Sequence, residues 1–182
     1  MLFRSLCAGA DFVLAVESYA KGCSGLVATV GQLAVEPGAS NVIPGSVILS
    51  LDVRHDQDRA RDEACRKIHA KAQAIAKKRG VRVERKIIQA TKAVECDPGF
   101  VKMLERAVKK HQRKSVLLPS GAGHDAAAMA AITPVGMLFV RCKGGISHHP
   151  DEFASEKDIR VAIAVMNDFI QLCAKRFGNG EI

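Results

Sequence analysis

Apolar residues recur along the first segment at three- and four-residue steps. Phe12, Val13, Val16 and Ala20 trace one stripe, so the spacing predicts a helix over Ala10 to Ala20 that ends near Gly22. The period then changes. Leu26 to Val35 is rich in Val, Leu and Thr, and in Val47 to Val53 apolar residues alternate with Ile48, Ser50 and Asp52, which predicts two strands of one sheet. Glu36 to Gly45 lies between them with two Pro and two Gly, residues that favour turns and interrupt a ladder. Asp56 to Arg79 places Ala60, Ala64, Ile68, Ala72 and Ile75 on one helical face, and Gly80 supplies a left-handed stop. Val81 to Ile88 reads as a further strand. The first part is therefore expected to be a small antiparallel sheet covered by helices on one face.

A second pattern begins near Ala90. Asp97 caps and Pro98 opens a helix running through Leu104 and Val108 to about His111, because Pro is tolerated at the first helical position. Val116 to Leu118 reads as a short strand feeding the turn Pro119 to Asp125, and the alanine-rich stretch up to Ala131 as helix. Val135 to Val140 has the continuous apolar character of a strand buried on both faces of a parallel sheet. Ser155 with Asp158 forms a capping box for a last helix, with Ile159, Ile163, Met166, Ile170 and Cys173 as its expected buried stripe. The fold class that follows is α/β, and no internal repeat or low-complexity tract interrupts it.

With 182 residues, 48% of them apolar, the chain has material for one domain or two small ones. The net charge of +8 would suit an anionic partner. The excess is spread over periodic helices, however, and one Tyr with no Trp offers little to stack on bases, so no nucleic-acid partner is expected. Six cysteines show neither a C-x-x-C pair nor zinc-finger spacing, which favours reduced, mostly buried thiols in a cytoplasmic protein. No apolar run approaches the roughly 20 residues that cross a bilayer, and no membrane partner is expected. Leu6 to Val16 after Arg4 could pass for a short signal core, but Asp11 interrupts it and an amphipathic helix explains it better.

Three loops gather polar, turn-forming residues at the ends of expected strands, where sites on α/β scaffolds lie. The first holds Asn41, with Arg54 on the following strand. Asp52 and Arg54 share one strand face, and Arg54 could clamp a carboxylate through two parallel hydrogen bonds or be an ordinary surface charge. The second is Ser120 to Asp125, whose glycines let backbone N–H groups approach a ligand; His124 is either a donor to a developing oxyanion or a helix cap. A Ser120, His124, Asp125 triad is disfavoured, since neighbours on a turning backbone seldom face one another and no nucleophile elbow is present. The third is Gly144 to Glu152, where an imidazole beside carboxylates could ligate zinc or manganese. Adjacent His148 and His149 cannot both easily address one ion.

Taken together, Ala28-Thr29-Val30-Gly31, Glu36-Pro37-Gly38, Asn41-Val42-Ile43-Pro44-Gly45, Leu51-Asp52-Val53-Arg54, Pro119-Ser120-Gly121-Ala122-Gly123-His124-Asp125 and Gly144-Gly145-Ile146-Ser147-His148 resemble the amidase/hydantoinase/carbamoylase branch of the aminoacylase-like dinuclear metallohydrolases. The resemblance runs from about Ala10 to Ala174. It implies a lid or dimerisation domain over 1–90 and the C-terminal part of a catalytic domain over 91–182. It implies that Asn41 and Arg54 grip a substrate carboxylate, often across a homodimer, and that His124 stabilises the tetrahedral intermediate. Ser120, Gly121 and Gly123 would line that pocket, His148 would be the last ligand to a divalent zinc or manganese ion, and Glu152 would support it. The activity implied is hydrolysis of a non-peptide C–N bond in an N-carbamoyl amino acid, ureido acid or allantoate-like compound, the alternative being a non-catalytic dimerisation or carboxylate-binding module.

The departures are as informative. Family members are much longer, and their N-terminal half carries an H-x-D motif, a Glu-Glu pair with the general base and a further histidine ligand. No H-x-D-Ser/Thr and no Glu-Glu occurs in this sequence, and the resemblance places Met1 inside the lid. One remaining ligand cannot hold two ions, so the chain is expected to be inactive alone and poorly soluble or of low stability.

Overall fold

The computed structural model describes residues 5–178, and the expectations attached to Met1 and Arg4 lie outside them. The chain divides into two compact units, one formed by Met1–Ala93 with Pro119–Gly121 and the other by Val94–Leu118 with Ala122–Ile182.

In the first unit, α1 (Ser5–Lys21) starts earlier than its apolar stripe suggests and buries Ala8, Gly9 and Val16. Ser5 donates from Oγ to the Pro44 carbonyl at 2.9 Å, which ties the start of α1 to the 37–45 turn. Each of the two expected strands is broken in two, giving β1 (Val27–Thr29), β2 (Leu33–Glu36), β3 (Ser46–Leu49) and β4 (Asp52–Arg54). Antiparallel pairs form between β1 and β4 and between β2 and β3, so the four pieces are the arms of one hairpin.

The register explains the break. Thr29 lies opposite Asp52 and Leu33 opposite Leu49, so three residues on the first arm face two on the second. This is the count of a β-bulge. Ser50 bridges it, its N–H donating to the Gln32 carbonyl at 3.1 Å and its Oγ accepting from the Gln32 N–H at 2.9 Å. Beyond the bulge, Val35 pairs with Val47 on the half-buried side, and the Val47 and Leu49 side chains pack against Gly9 of α1.

The long helix α2 (Asp58–Arg79) carries the expected stripe, with Ala64, Ile68 and Ala76 buried and Ala60, Ala72 and Ile75 half-buried. It packs on α1, where Val16 and Ile68 are 2% and 1% exposed. Arg79 reaches Asp11 of α1 at 2.6 Å. Gly80 ends α2 at φ 66°, as expected of a left-handed C-cap. The strand expected over Val81 to Ile88 does not form. β-branched sequence needs a ladder partner to become a strand, and among the described residues this segment has none; Ile87 and Ile88 are exposed.

The second unit is a helix pair with irregular connections. In α3 (Pro98–His111) the Asp97 carboxylate accepts from the Phe100 N–H at 2.8 Å, the cap that the sequence announces. It packs against α5 (Glu156–Phe177), whose cap is Ser155 accepting from the Asp158 N–H at 3.1 Å. The contact buries Leu104, Ala107 and Val165 and sets the Phe100 and Phe169 rings edge-to-face at 5.5 Å. The buried face of α5 is therefore not the expected one. Ile159, Ile163, Met166 and Ile170 are exposed, because α5 is apolar on two sides and only the side holding Val165 and Phe169 meets α3.

Neither Val116–Leu118 nor Val135–Val140 is a strand; the first is exposed throughout and the second partly so, again for want of a partner ladder among the described residues. The alanine-rich helix shrinks to α4 (Asp125–Met129). The six cysteines are free, but none is fully buried: Cys7 is exposed and the other five are half-buried. No helix among the described residues is long and apolar enough to cross a membrane.

Candidate functional site

Arg54 ends β4, two residues after Asp52. Strand alternation puts both side chains on the same face, opposite to that of Val53. The Asp52 carboxylate accepts from Arg54 Nε at 2.7 Å and from Nη2 at 3.0 Å, a bidentate fork. Arg54 Nη1 donates to the Gly121 carbonyl at 2.7 Å. The hydrogen bond from Arg54, and then its charge, hold the Asp52 carboxyl below the usual carboxylate range, and the same hydrogen bond and charge raise the Arg54 pKa. Both side chains are about half exposed, at 51% and 53%, so as a stability element the pair is worth no more than about 1 kcal/mol. Its interest is geometric.

Asn41 lies exposed in the 37–45 turn, which closes through Val42 N–H to the Ala39 carbonyl at 3.3 Å and Gly45 N–H to the Glu36 carbonyl at 2.9 Å. Ser120 is half-buried. Of the sequence-predicted residues, Asn41, Arg54, Ser120 and Gly121 thus belong to the first unit, and the structure brings Arg54 and Gly121 together.

Gly123, His124, His148 and Glu152 belong to the second unit. His124 occupies the N-cap position of α4 with extended backbone, φ −135° and ψ 152°, but its side chain makes no cap hydrogen bond. The cap alternative therefore does not account for it. Five residues of helix are also too few to sustain a useful dipole, so α4 adds little charge to this turn. A Cβ added at Gly121 or at Gly123 would meet no described residue within 4 Å, so packing among the described residues does not require glycine at either place.

The third loop is tightly wound. Gly144 and Gly145 take φ 66° and 70°, and His148 takes φ 58°, the sole non-glycine residue in the left-handed region among the described residues. Such a conformation costs on the order of 1–3 kcal/mol and persists where surrounding bonds enforce it. Here Glu152 accepts from the His148 backbone N–H at 2.9 Å, and His148 Nδ1 lies 3.1 Å from Ser147 Oγ. Glu152 thus holds the backbone of His148 rather than its ring. Ser147 lies within the motif that carries the resemblance, but no role was expected of it. His149 Nδ1 accepts from the Asp151 N–H at 3.2 Å, a turn contact.

Among the described residues no three His, Cys, Asp or Glu side chains converge on a common point. Catalytic zinc takes three protein ligands. The described residues do not by themselves fit such a centre.

A helix-backed antiparallel hairpin followed by a helix pair with glycine-rich connecting loops is a portion of the amidohydrolase fold found in solved hydantoinase/carbamoylase-family amidases. Residues 8–172 match the family described as Peptidase family M20/M25/M40, and the chain belongs to it. It is similar to an N-carbamoyl-L-amino acid amidohydrolase of Geobacillus stearothermophilus, with 38% identity over 161 residues, covering 88% of this chain and 39% of that protein. It is similar also to an allantoate deiminase of Arabidopsis thaliana, with 39% identity over 166 residues, 86% of this chain and 31% of that protein. Among solved structures, a hydantoinase/carbamoylase-family amidase of Burkholderia multivorans superposes with a TM-score of 0.84 at 30% identity, covering 92% of this chain and 41% of the other. AtUAH, solved in complex with glyoxylate, gives 0.78 at 34% identity over 90% and 39%. The chain thus spans about two fifths or less of the length of these relatives.

Proposed function

We propose that this chain supplies the carboxylate grip and the carbonyl-polarising histidine of an amidohydrolase acting on the C–N bond of an N-carbamoyl amino acid, ureido acid or allantoate-like compound. The observation that carries the reading is the Asp52–Arg54 fork on β4, a pre-formed guanidinium in a chain whose relatives are named for such substrates. Arg54 pairs with the substrate carboxylate and Asn41 adds a side-chain amide. His124 donates to the oxygen on which charge develops as the carbonyl becomes tetrahedral, with Ser120, Gly121 and Gly123 lining the approach. The open surroundings of both glycines support this, since they leave the backbone accessible.

Hydrolysis needs a hydroxide and a base to make it, and His148 is a single ligand, braced through its backbone by Glu152. The reading therefore assigns this chain binding without turnover: the remaining zinc or manganese ligands and the general base come from residues outside it, and a homodimer brings two such chains together in the cytoplasm. A carboxylate-binding module without catalysis is the second reading, favoured by the lack of a converging ligand set among the described residues.

The test is metal stoichiometry of the purified chain in added manganese or zinc, with ammonia release from N-carbamoyl amino acids and their binding by calorimetry measured on the same sample and on Arg54→Ala. The expected outcome is carboxylate binding that Arg54→Ala removes, without turnover. Two tightly held ions with turnover would refute the assignment of catalysis to residues outside the chain.

A further inference from the structure

A guanidinium carries five N–H donors in one plane, and Asp52 takes two of them, on Nε and Nη2, along one side edge. Gly121 takes a third on Nη1. One N–H on Nη1 and one on Nη2 remain outside these bonds. When Gly121 takes the Nη1 N–H on the Cδ side, this pair is what a second carboxylate needs for an end-on fork, and the Nε donor that Asp52 occupies is one that an end-on ligand does not use.

We propose that Asp52 is the positioning residue for Arg54, locking the guanidinium side-on so that its remaining donors meet a substrate carboxylate end-on. The inference rests on the reading of Arg54 as the carboxylate grip and adds to it the residue that makes the grip effective. An Arg side chain surrenders much rotamer freedom when it binds, and one already held by Asp52 surrenders less at the moment of binding. The opposing effect is repulsion between Asp52 and the incoming carboxylate. Both side chains of the pair are half exposed, so this repulsion is screened by solvent and weakened further by salt, whereas the hydrogen-bonded geometry is not. At high ionic strength positioning therefore dominates.

The experiment uses the full chain, 15N-labelled, in about 0.5 M salt, where the screening length falls well below 10 Å. N-carbamoylglycine is the probe, titrated into wild type, Asp52→Asn, Asp52→Glu and Arg54→Lys. Two signals are read: the Arg54 Nε–Hε resonance, sharp only when the guanidinium is held, and the probe affinity. The expected result is that Asp52→Asn loses the resonance and weakens binding about three- to tenfold, that Asp52→Glu falls between it and wild type, and that Arg54→Lys abolishes binding. Unchanged or tighter binding in Asp52→Asn, alongside loss in Arg54→Lys, overturns the positioning role and leaves the grip standing. Binding that survives Arg54→Lys, or a wild-type chain that does not bind the probe, overturns the grip and the positioning role with it. Should Asp52→Asn lose its helical circular dichroism, Asp52→Glu carries the same comparison, because it keeps the charge and displaces the oxygens.

Discussion

Two neighbouring residues of α5 separate the observed packing from the one that apolar spacing alone suggests. Val165 is 1% exposed against α3, whereas Ile163, on the expected stripe, is 65% exposed. Val165→Ala removes two buried methyl groups, worth about 0.8 kcal/mol each in transfer, and leaves a void beside Leu104 and Ala107, for a total of about 2–3 kcal/mol. Ile163→Ala removes more atoms but from a site already in water, and is expected to stay within about 0.5 kcal/mol. For a chain of this length the first corresponds to a melting temperature lower by about 4–10 °C and the second to almost no change. Urea unfolding followed by far-ultraviolet circular dichroism measures both. Equal destabilisation by the two substitutions, or a larger effect at Ile163, would refute the orientation of α5 and the reasoning built on it.

Loss of the α3 cap in Asp97→Ala is expected to cost about 1 kcal/mol, with Asp97→Asn keeping most of the stability, as unfolding midpoints will read. Gly80→Ala places a Cβ at φ 66° and should lower stability by about 1 kcal/mol; an unchanged midpoint would contradict the left-handed cap. Acid should weaken the fold through Asp52 and Asp168. Asp168 accepts from Lys110 at 2.9 Å and lies 2.8 Å from His111 Nε2, and hydrogen bonds from those two residues hold its carboxyl below the ordinary range. Each folded pKa is lowered, so the stabilisation is complete above the ordinary Asp value near 4 and is lost as pH falls through the lower folded value. Unfolding midpoints at descending pH should fall less steeply in Asp168→Asn, and identical profiles would remove Asp168 from the account.

Local signals were the legible part of this fold. The Asp97-Pro98 start, the Ser155/Asp158 cap, the Gly80 stop and the α2 stripe are each set by a few neighbouring residues, and the structure has all of them. What depended on distant partners was not legible. Val81–Ile88, Val116–Leu118 and Val135–Val140 have strand-like composition, but composition cannot supply the ladder that makes a strand. α5 offered two apolar faces, and spacing cannot choose between them. At the site, the shared face of Asp52 and Arg54 followed from strand alternation, whereas the Gly121 carbonyl on Nη1 joins residues 67 apart and had no local signature. The left-handed backbone of His148 was equally hidden, since histidine does not advertise it as glycine does.

The three-against-two count at Val30-Gly31-Gln32 has an evolutionary consequence. Ala28 is half-buried before it and Val35 after it, so the side of the hairpin that faces the helices passes from even to odd numbers along the first arm, while Val47, Leu49 and Val53 keep a single parity along the second. This glycine-containing bend is thus where one extra residue of chain is taken up while the pairing on either side is kept. Losing Gly31 would leave two residues against two, with Val35 still opposite Val47, so a one-residue deletion here should be borne by descendants of this sequence without turning the half-buried face.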